Sequence, residues 1–65
     1  MEINQTAKSS ASVSFTEAEL ILLNNALNEV LNGLEVHEFG TRLGASRQEA
    51  EELLRQISLI LSKIG

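Results

Sequence analysis

Two matching helix-start signals constrain the fold of this chain more than any other feature. In the stretch SFTEAEL, Thr16 is a good N-cap residue and Glu19 follows three positions later; in ASRQEAEELL, Ser46 and Glu49 repeat that spacing. This pattern is a capping box, in which the two side chains bind backbone N–H groups at the start of a helix. The sequence therefore predicts one helix that begins near Glu17 and another that begins just after Ser46.

The first predicted helix carries more apolar surface than one packing partner can cover. Phe15 lies just before the cap and Leu20 lies at the fourth helical position, an arrangement typical of a hydrophobic staple. Its apolar residues cover a broad half of the helix, whereas one partner needs a stripe of about 100°, so we expect packing against both other helices. Asn32-Gly33 is predicted to end the helix, with Gly33 in the left-handed conformation. The apolar half consists of Leu20, Leu22, Leu23, Ala26, Leu27, Val30 and Leu31.

Two further helices are predicted after this one. In LEVHEFGTRL, Val36, Phe39 and Leu43 recur at helical spacing and predict a short second helix, which Gly44 ends. The third helix follows the Ser46 cap and runs to near the C-terminus, with one apolar stripe along its length. That stripe consists of Ala50, Leu53, Leu54, Ile57, Ile60, Leu61 and Ile64.

The N-terminal segment has a different composition. Residues 1–14 are rich in serine, alanine and polar amides and lack a helical or strand period, so they predict a disordered, flexible tail. A short strand near Ser12 to Phe15 is the alternative. There is no β-hairpin turn signal and no proline. We therefore predict an all-α three-helix bundle, with residues 15–65 as its single domain and residues 1–14 as the tail.

Residues Val36 to Leu53 resemble a helix-turn-helix, and the second and third predicted helices form its two arms. Gly40 is the small residue that this motif needs in its first arm, and Gly44, four positions later, is the glycine that it needs in the turn. Ser46 takes the capping position of the second arm. The resemblance implies that Gly40 lets the two helices approach closely. The apolar positions that also match are Phe39, Leu43, Ala50 and Leu53.

The same resemblance implies an alternative function, that of a DNA-binding transcription regulator. The third helix would then read the major groove, and the side chains available for nucleic-acid contacts are Arg42, Arg47, Gln48 and Arg55. The net charge of −4 disfavours this alternative, because DNA binders neutralise phosphates with a basic surface. The longer string LNNALNEVLNG…EFGTRLGAS is similar to a group of short bacterial proteins, a resemblance that implies no activity.

The length of the chain limits its means of stabilisation. With 65 residues it forms one domain at most, and chains below roughly 70–80 residues usually need disulfides, a metal or a partner subunit. The chain has no cysteine, and His37 is its only histidine, which excludes disulfides and metal sites built from thiolates or histidine clusters. Oligomerisation is the means of stabilisation that remains.

Motifs for catalysis are not evident in the sequence. There is neither a G-x-S-x-G nucleophile motif nor a phosphate-binding glycine loop, so we expect no enzymatic activity, no cofactor and no small-molecule substrate. No apolar run reaches the ~20 residues that span a bilayer, and no segment of secretory type opens the chain. We therefore expect no membrane association and a cytoplasmic location.

The asparagines of the first helix mark a candidate contact surface. Asn24, Asn25 and Asn28 lie on one side of the helix around Ile21, although solvated helix faces usually carry better helix formers such as Lys, Glu or Arg. In the third helix, Leu59 lies opposite the apolar stripe. We predict that the protein is an interaction module that binds other protein, that it forms a homodimer, and that these five residues belong to its interface. An accessory subunit of a larger complex is the remaining alternative.

Overall fold

The computed structural model describes residues 1–64 except the side chain of Val36. The elements in chain order are the strands β1 (Glu2–Thr6) and β2 (Ala11–Ser14), helix α1 (Glu17–Gly33), a 3₁₀ helix (Val36–Glu38), helix α2 (Phe39–Leu43) and helix α3 (Arg47–Lys63).

The N-terminal segment is a β-hairpin, so both the predicted disordered tail and the predicted all-α three-helix bundle are wrong. β1 and β2 pair antiparallel, with Ile3 opposite Val13. The register shifts between Ile3 and Gln5, which marks a β-bulge at Asn4. The strand alternative at Ser12 to Phe15 lies close to the observed β2.

Hydrogen bonds that leave no mark in a hydrophobic pattern hold this hairpin together. The N–H group of Ala7 donates to the carbonyl oxygen of Ser10 across the turn, at 2.8 Å. Asn4 Nδ2 donates to Ser14 Oγ across the two strands, also at 2.8 Å. The turn therefore closes without the glycine or asparagine that short hairpin loops usually carry, which is why the sequence showed no turn signal.

Both predicted capping boxes are confirmed. The N–H group of Glu19 donates to Thr16 Oγ1 at 3.2 Å, and the N–H group of Thr16 donates to Glu19 Oε1 at 2.9 Å. At α3, the N–H group of Glu49 donates to Ser46 Oγ at 3.1 Å, and the N–H group of Ser46 donates to Glu49 Oε1 at 3.0 Å. These bonds satisfy N–H groups that the first turn of a helix leaves without a backbone partner, so both long helices begin where the sequence predicts.

The glycines behave differently from one another. Gly44 has a φ of 69° and makes the left-handed turn between α2 and α3, at the position where the sequence predicts the end of the second helix. Gly33 is the last residue of α1 and the chain leaves through the extended Leu34, so the predicted left-handed Gly33 is wrong. A Cβ atom added to Gly40 would meet nothing within 4 Å. Close approach of two helices therefore does not explain the glycine at position 40.

The core is small and lies where α1, α2 and α3 meet. Leu31, Phe39 and Ala50 form its buried cluster, and Phe39 from α2 is only 1% exposed. Leu20 and Ile57 are also buried and lie further along the contact between α1 and α3. Most of the hairpin is exposed, and the whole molecule measures 34 × 31 × 15 Å. The molecule is therefore flat, about twice as long and as wide as it is thick.

Candidate protein-interaction site

An open apolar groove of about 510 Å³ runs between α1 and α3. Its described lining is apolar except for the amide of Gln56. Leu53 is 50% exposed and Ile60 is 47% exposed, although both belong to the stripe that the sequence assigns to the core. The residues that line the groove are Phe15, Leu20, Leu23, Ala26, Leu27, Val30, Leu43, Leu53, Gln56, Ile57 and Ile60.

The groove exists because both long helices have apolar surfaces wider than their mutual contact. In α1, Leu20 and Leu31 are buried, and Leu23 lies about 60° around the helix from Leu20. In α3, Leu53 lies at the same angle from the buried Ala50. The surface around Leu23 in α1 and the surface around Leu53 in α3 face the same side of the molecule, so together they form one groove. Helix α2 has only five residues and does not cover it.

The asparagine side of α1 lies on the flank away from this groove. Asn24 is half-buried, and its Oδ1 accepts a hydrogen bond from Ser58 Oγ of α3 at 2.7 Å. Asn24 thus binds within the chain. Ile21, Asn25 and Asn28 are exposed.

Leu59, the other residue of the predicted interface, is separate from the asparagine side. It is 49% exposed. It lies about 200° around α3 from Ile57, which is buried. The structure therefore does not bring the five predicted interface residues together on one surface.

Two of the four predicted nucleic-acid residues bind within the chain. Arg47 Nη1 donates to the carbonyl oxygen of Leu31 at 3.0 Å, and Arg47 Nε donates to Glu51 Oε1 at 2.8 Å. The guanidinium of Arg47 also lies 5.9 Å from the centroid of the Phe39 ring. Arg47 therefore fastens the start of α3 to the end of α1.

Arg55 is also paired, whereas the remaining two candidates are free of the core. Arg55 Nε and Nη2 donate to the two carboxylate oxygens of Glu52, at 2.9 and 2.6 Å. Arg42 and Gln48 are exposed. The positive charge predicted for a DNA contact is thus partly neutralised by glutamates on the same helix.

The shifted carboxyl groups have structural causes. Hydrogen bonds from Arg55 lower the pKa of Glu52 below its usual range. The backbone N–H group of Ser46 lowers the pKa of Glu49 through the capping box. The pKa of Glu19 is lowered first by the N-terminal ammonium, with which it forms an ion pair, and then by the N–H group of Thr16. These shifts reflect helix capping and ion pairing.

Comparisons with protein-family models, with curated proteins and with solved structures found no match for this chain. Among the described residues, no helix is both long and apolar enough to cross a membrane. No group of three or more His, Cys, Asp or Glu side chains within that part of the chain is placed to hold a metal ion. The functional argument therefore rests on the shape and chemistry of the surface.

The sequence contains a signal for the groove but does not predict it. The apolar half of α1 is wider than one packing partner needs, and the sequence predicts that two helices of the same chain cover this excess width. Leu22 is 68% exposed, and Leu23 and Ala26 line the open groove. The width of the apolar half of α1 thus indicates a further packing surface. It does not indicate whether this surface is covered by the same chain or by another one.

Proposed function

We propose that this protein is an interaction module that forms a homodimer through the groove between α1 and α3. The observation that supports the proposal is the open apolar lining of the groove, which includes Leu43, Leu53 and Ile60. Full burial of an exposed side chain of this kind contributes about 1.5–3 kcal/mol, and because these three are roughly half exposed, covering each one contributes about half of that. The proposal keeps the predicted homodimer and moves its interface from the asparagine side to the groove; a cytoplasmic location stays a prediction.

The shape of the molecule favours a second copy as the occupant of the groove. Helices α1 and α3 lie side by side in a flat molecule of 34 × 31 × 15 Å, and no other described element covers the side on which their apolar surfaces form the groove. A second copy that places its own groove against the first covers both apolar surfaces at once. The two faces match in length because α1 and α3 have 17 residues each.

The exposed area leads to the same conclusion. The chain exposes 5096 Å², whereas a compact monomer of 7.1 kDa exposes about 4,100 Å². The excess is about 1,000 Å², and a stable interface of standard size buries about 800 Å² on each partner. The exposed hairpin contributes to this excess together with the groove, so the groove accounts for part of the area that a homodimer interface buries.

A matched pair of substitutions on α3 tests the proposal. Leu53 lines the groove and Leu59 lies on the outer surface of the same helix, and their exposures are nearly equal at 50% and 49%. We expect the native protein and Leu59→Glu to be dimers at high micromolar concentration, and Leu53→Glu to be a monomer with an unchanged helical circular-dichroism spectrum. Sedimentation equilibrium measures the mass of all three.

The opposite results would overturn the proposal. A native protein that is monomeric at that concentration excludes the homodimer. A dimer that survives Leu53→Glu and is lost with Leu59→Glu, or with Asn28→Lys on the asparagine side of α1, places the interface where the sequence predicted it.

A further inference from the structure

One polar side chain interrupts the apolar wall that α3 contributes to the groove. Gln56 lies between Leu53 and Ile60 on that wall, three residues after the first and four before the second. Its Nε2 donates only a long hydrogen bond of 3.3 Å to Glu52 Oε1. A polar group that enters an interface needs a hydrogen-bond partner there, because an unsatisfied buried amide is costly.

Two opposite charges lie symmetrically about this glutamine. Glu49 lies seven residues before Gln56 and Lys63 lies seven residues after it, and both side chains are exposed. Seven residues make nearly two turns, so the three side chains share one side of α3 at intervals of about 10.5 Å. The capping box orients the Glu49 carboxylate at the start of the helix.

From this arrangement, and resting on the proposed homodimer, we infer that the two copies pack their α3 helices antiparallel about a two-fold axis at Gln56. Residues equidistant from the axis then face each other, so Glu49 meets the partner subunit's Lys63 at both ends, and Leu53 lies beside the partner subunit's Ile60. On the axis, the carbonyl and NH₂ groups of the two Gln56 amides complement each other. A parallel pairing would instead place glutamate against glutamate and lysine against lysine.

Gln56 therefore determines the register of the dimer in this arrangement. A polar residue at one position of an apolar helix interface is a known means of fixing alignment, because any shifted register leaves its amide without a partner. The exposed groove supplies the affinity, while Gln56, Glu49 and Lys63 select one orientation.

Disulfide cross-linking tests the position of the axis, and the chain has no cysteine of its own to interfere. A disulfide requires two Cα atoms about 4.4–6.8 Å apart, which residues facing each other across a two-fold axis between helices can reach. We expect Gln56→Cys to form a covalent dimer under mild oxidation and Gln48→Cys, on the outer surface of α3, to stay monomeric on a denaturing gel. A native dimer in which Gln56→Cys does not cross-link contradicts this inference and leaves the homodimer standing.

Charge exchange tests the antiparallel orientation. Lys63→Glu places glutamates opposite each other twice, and we expect the dimer dissociation constant to rise about tenfold at low salt. The double variant Glu49→Lys with Lys63→Glu restores opposite charges and should recover most of the loss, as measured by sedimentation equilibrium with circular dichroism as the control for folding. Unchanged dissociation with Lys63→Glu, or no recovery in a folded double variant, overturns the antiparallel arrangement. A native monomer overturns the proposed function itself.

Discussion

At the scale of single residues, Arg47 shows how one side chain can serve the fold where the sequence suggests recognition. The sequence places it at the start of a helix that resembles a DNA-reading helix. In the structure it donates to the carbonyl oxygen of Leu31, pairs with Glu51 and lies over the ring of Phe39. The bond to Leu31 satisfies a carbonyl group near the end of α1, where helical carbonyls lose their backbone partners.

We expect Arg47→Ala to destabilise the fold. Loss of a charge-assisted hydrogen bond and of the guanidinium that lies over the Phe39 ring should lower the free energy of unfolding by about 1–3 kcal/mol. Arg55→Ala is the matched control, because the hydrogen bonds of Arg55 within the described residues go to the exposed Glu52 on its own helix, and such pairs contribute roughly 0.5 kcal/mol. Urea denaturation followed by circular dichroism compares the two. Equal losses would show that the contacts of Arg47 carry no special weight.

Interactions close in sequence could be predicted, and those between distant residues could not. Thr16 with Glu19 and Ser46 with Glu49 are three residues apart, so their spacing alone defines the capping box. Asn24 and Ser58 are 34 residues apart, and the sequence has no pattern that pairs them. The sequence therefore predicts Asn24 in an interface with a second copy, whereas in the structure it binds across the contact between α1 and α3.

At the scale of elements, the turn between α2 and α3 depends on one glycine conformation. Gly44 has a positive φ of 69°, and left-handed backbone costs most other residues about 1–2 kcal/mol. Gly40 lies within α2 at a position where a methyl group meets nothing within 4 Å. The two glycines of the helix-turn-helix resemblance therefore have different physical roles.

We expect opposite effects from alanine at these two positions. Gly44→Ala should lower the free energy of unfolding by about 1–2 kcal/mol because of backbone strain. Gly40→Ala should raise it by up to about 1 kcal/mol, because alanine has the higher helix propensity. Thermal unfolding of both variants beside the native protein measures the signs. A stabilising Gly44→Ala would contradict the account of the turn.

The hairpin shows which elements a sequence pattern does not reveal. The sequence predicts α1 and α3 from their capping boxes and apolar stripes and α2 from the spacing of its apolar residues, and all three lie close to their predicted positions. β1 and β2 expose nearly all of their side chains, so no alternation of apolar and polar residues arises. Their pairing depends on backbone hydrogen bonds and on the bond between Asn4 and Ser14, and neither produces a hydrophobic pattern.

At the scale of the whole molecule, the short chain predicts a partner subunit, and the structure shows where on the surface that subunit could bind. A chain of 65 residues without cysteine was expected to need a partner subunit, and the site of contact was expected on the asparagine side of α1. Only the packing geometry shows that α1 and α3 bury part of their apolar faces against each other and leave the rest exposed in the groove. The position of the groove follows from how α1 packs on α3 and from the shortness of α2. Local sequence patterns predict neither of these features.

If a second copy covers the groove, the thermal stability of the protein must depend on its concentration. Dimerisation stabilises the folded chain by mass action, and unfolding two 65-residue chains together has an entropy that makes a hundredfold rise in concentration worth about 10 °C in the melting temperature. Leu53→Glu should melt at a temperature that does not change with concentration, while Leu59→Glu should keep the dependence of the native protein. Circular-dichroism melts at about 10 µM and 1 mM, in cells of different path length, measure both. A native melting temperature that stays constant over this range would mean that the exposed groove is stable in water without a second copy, and the homodimer would have to be abandoned.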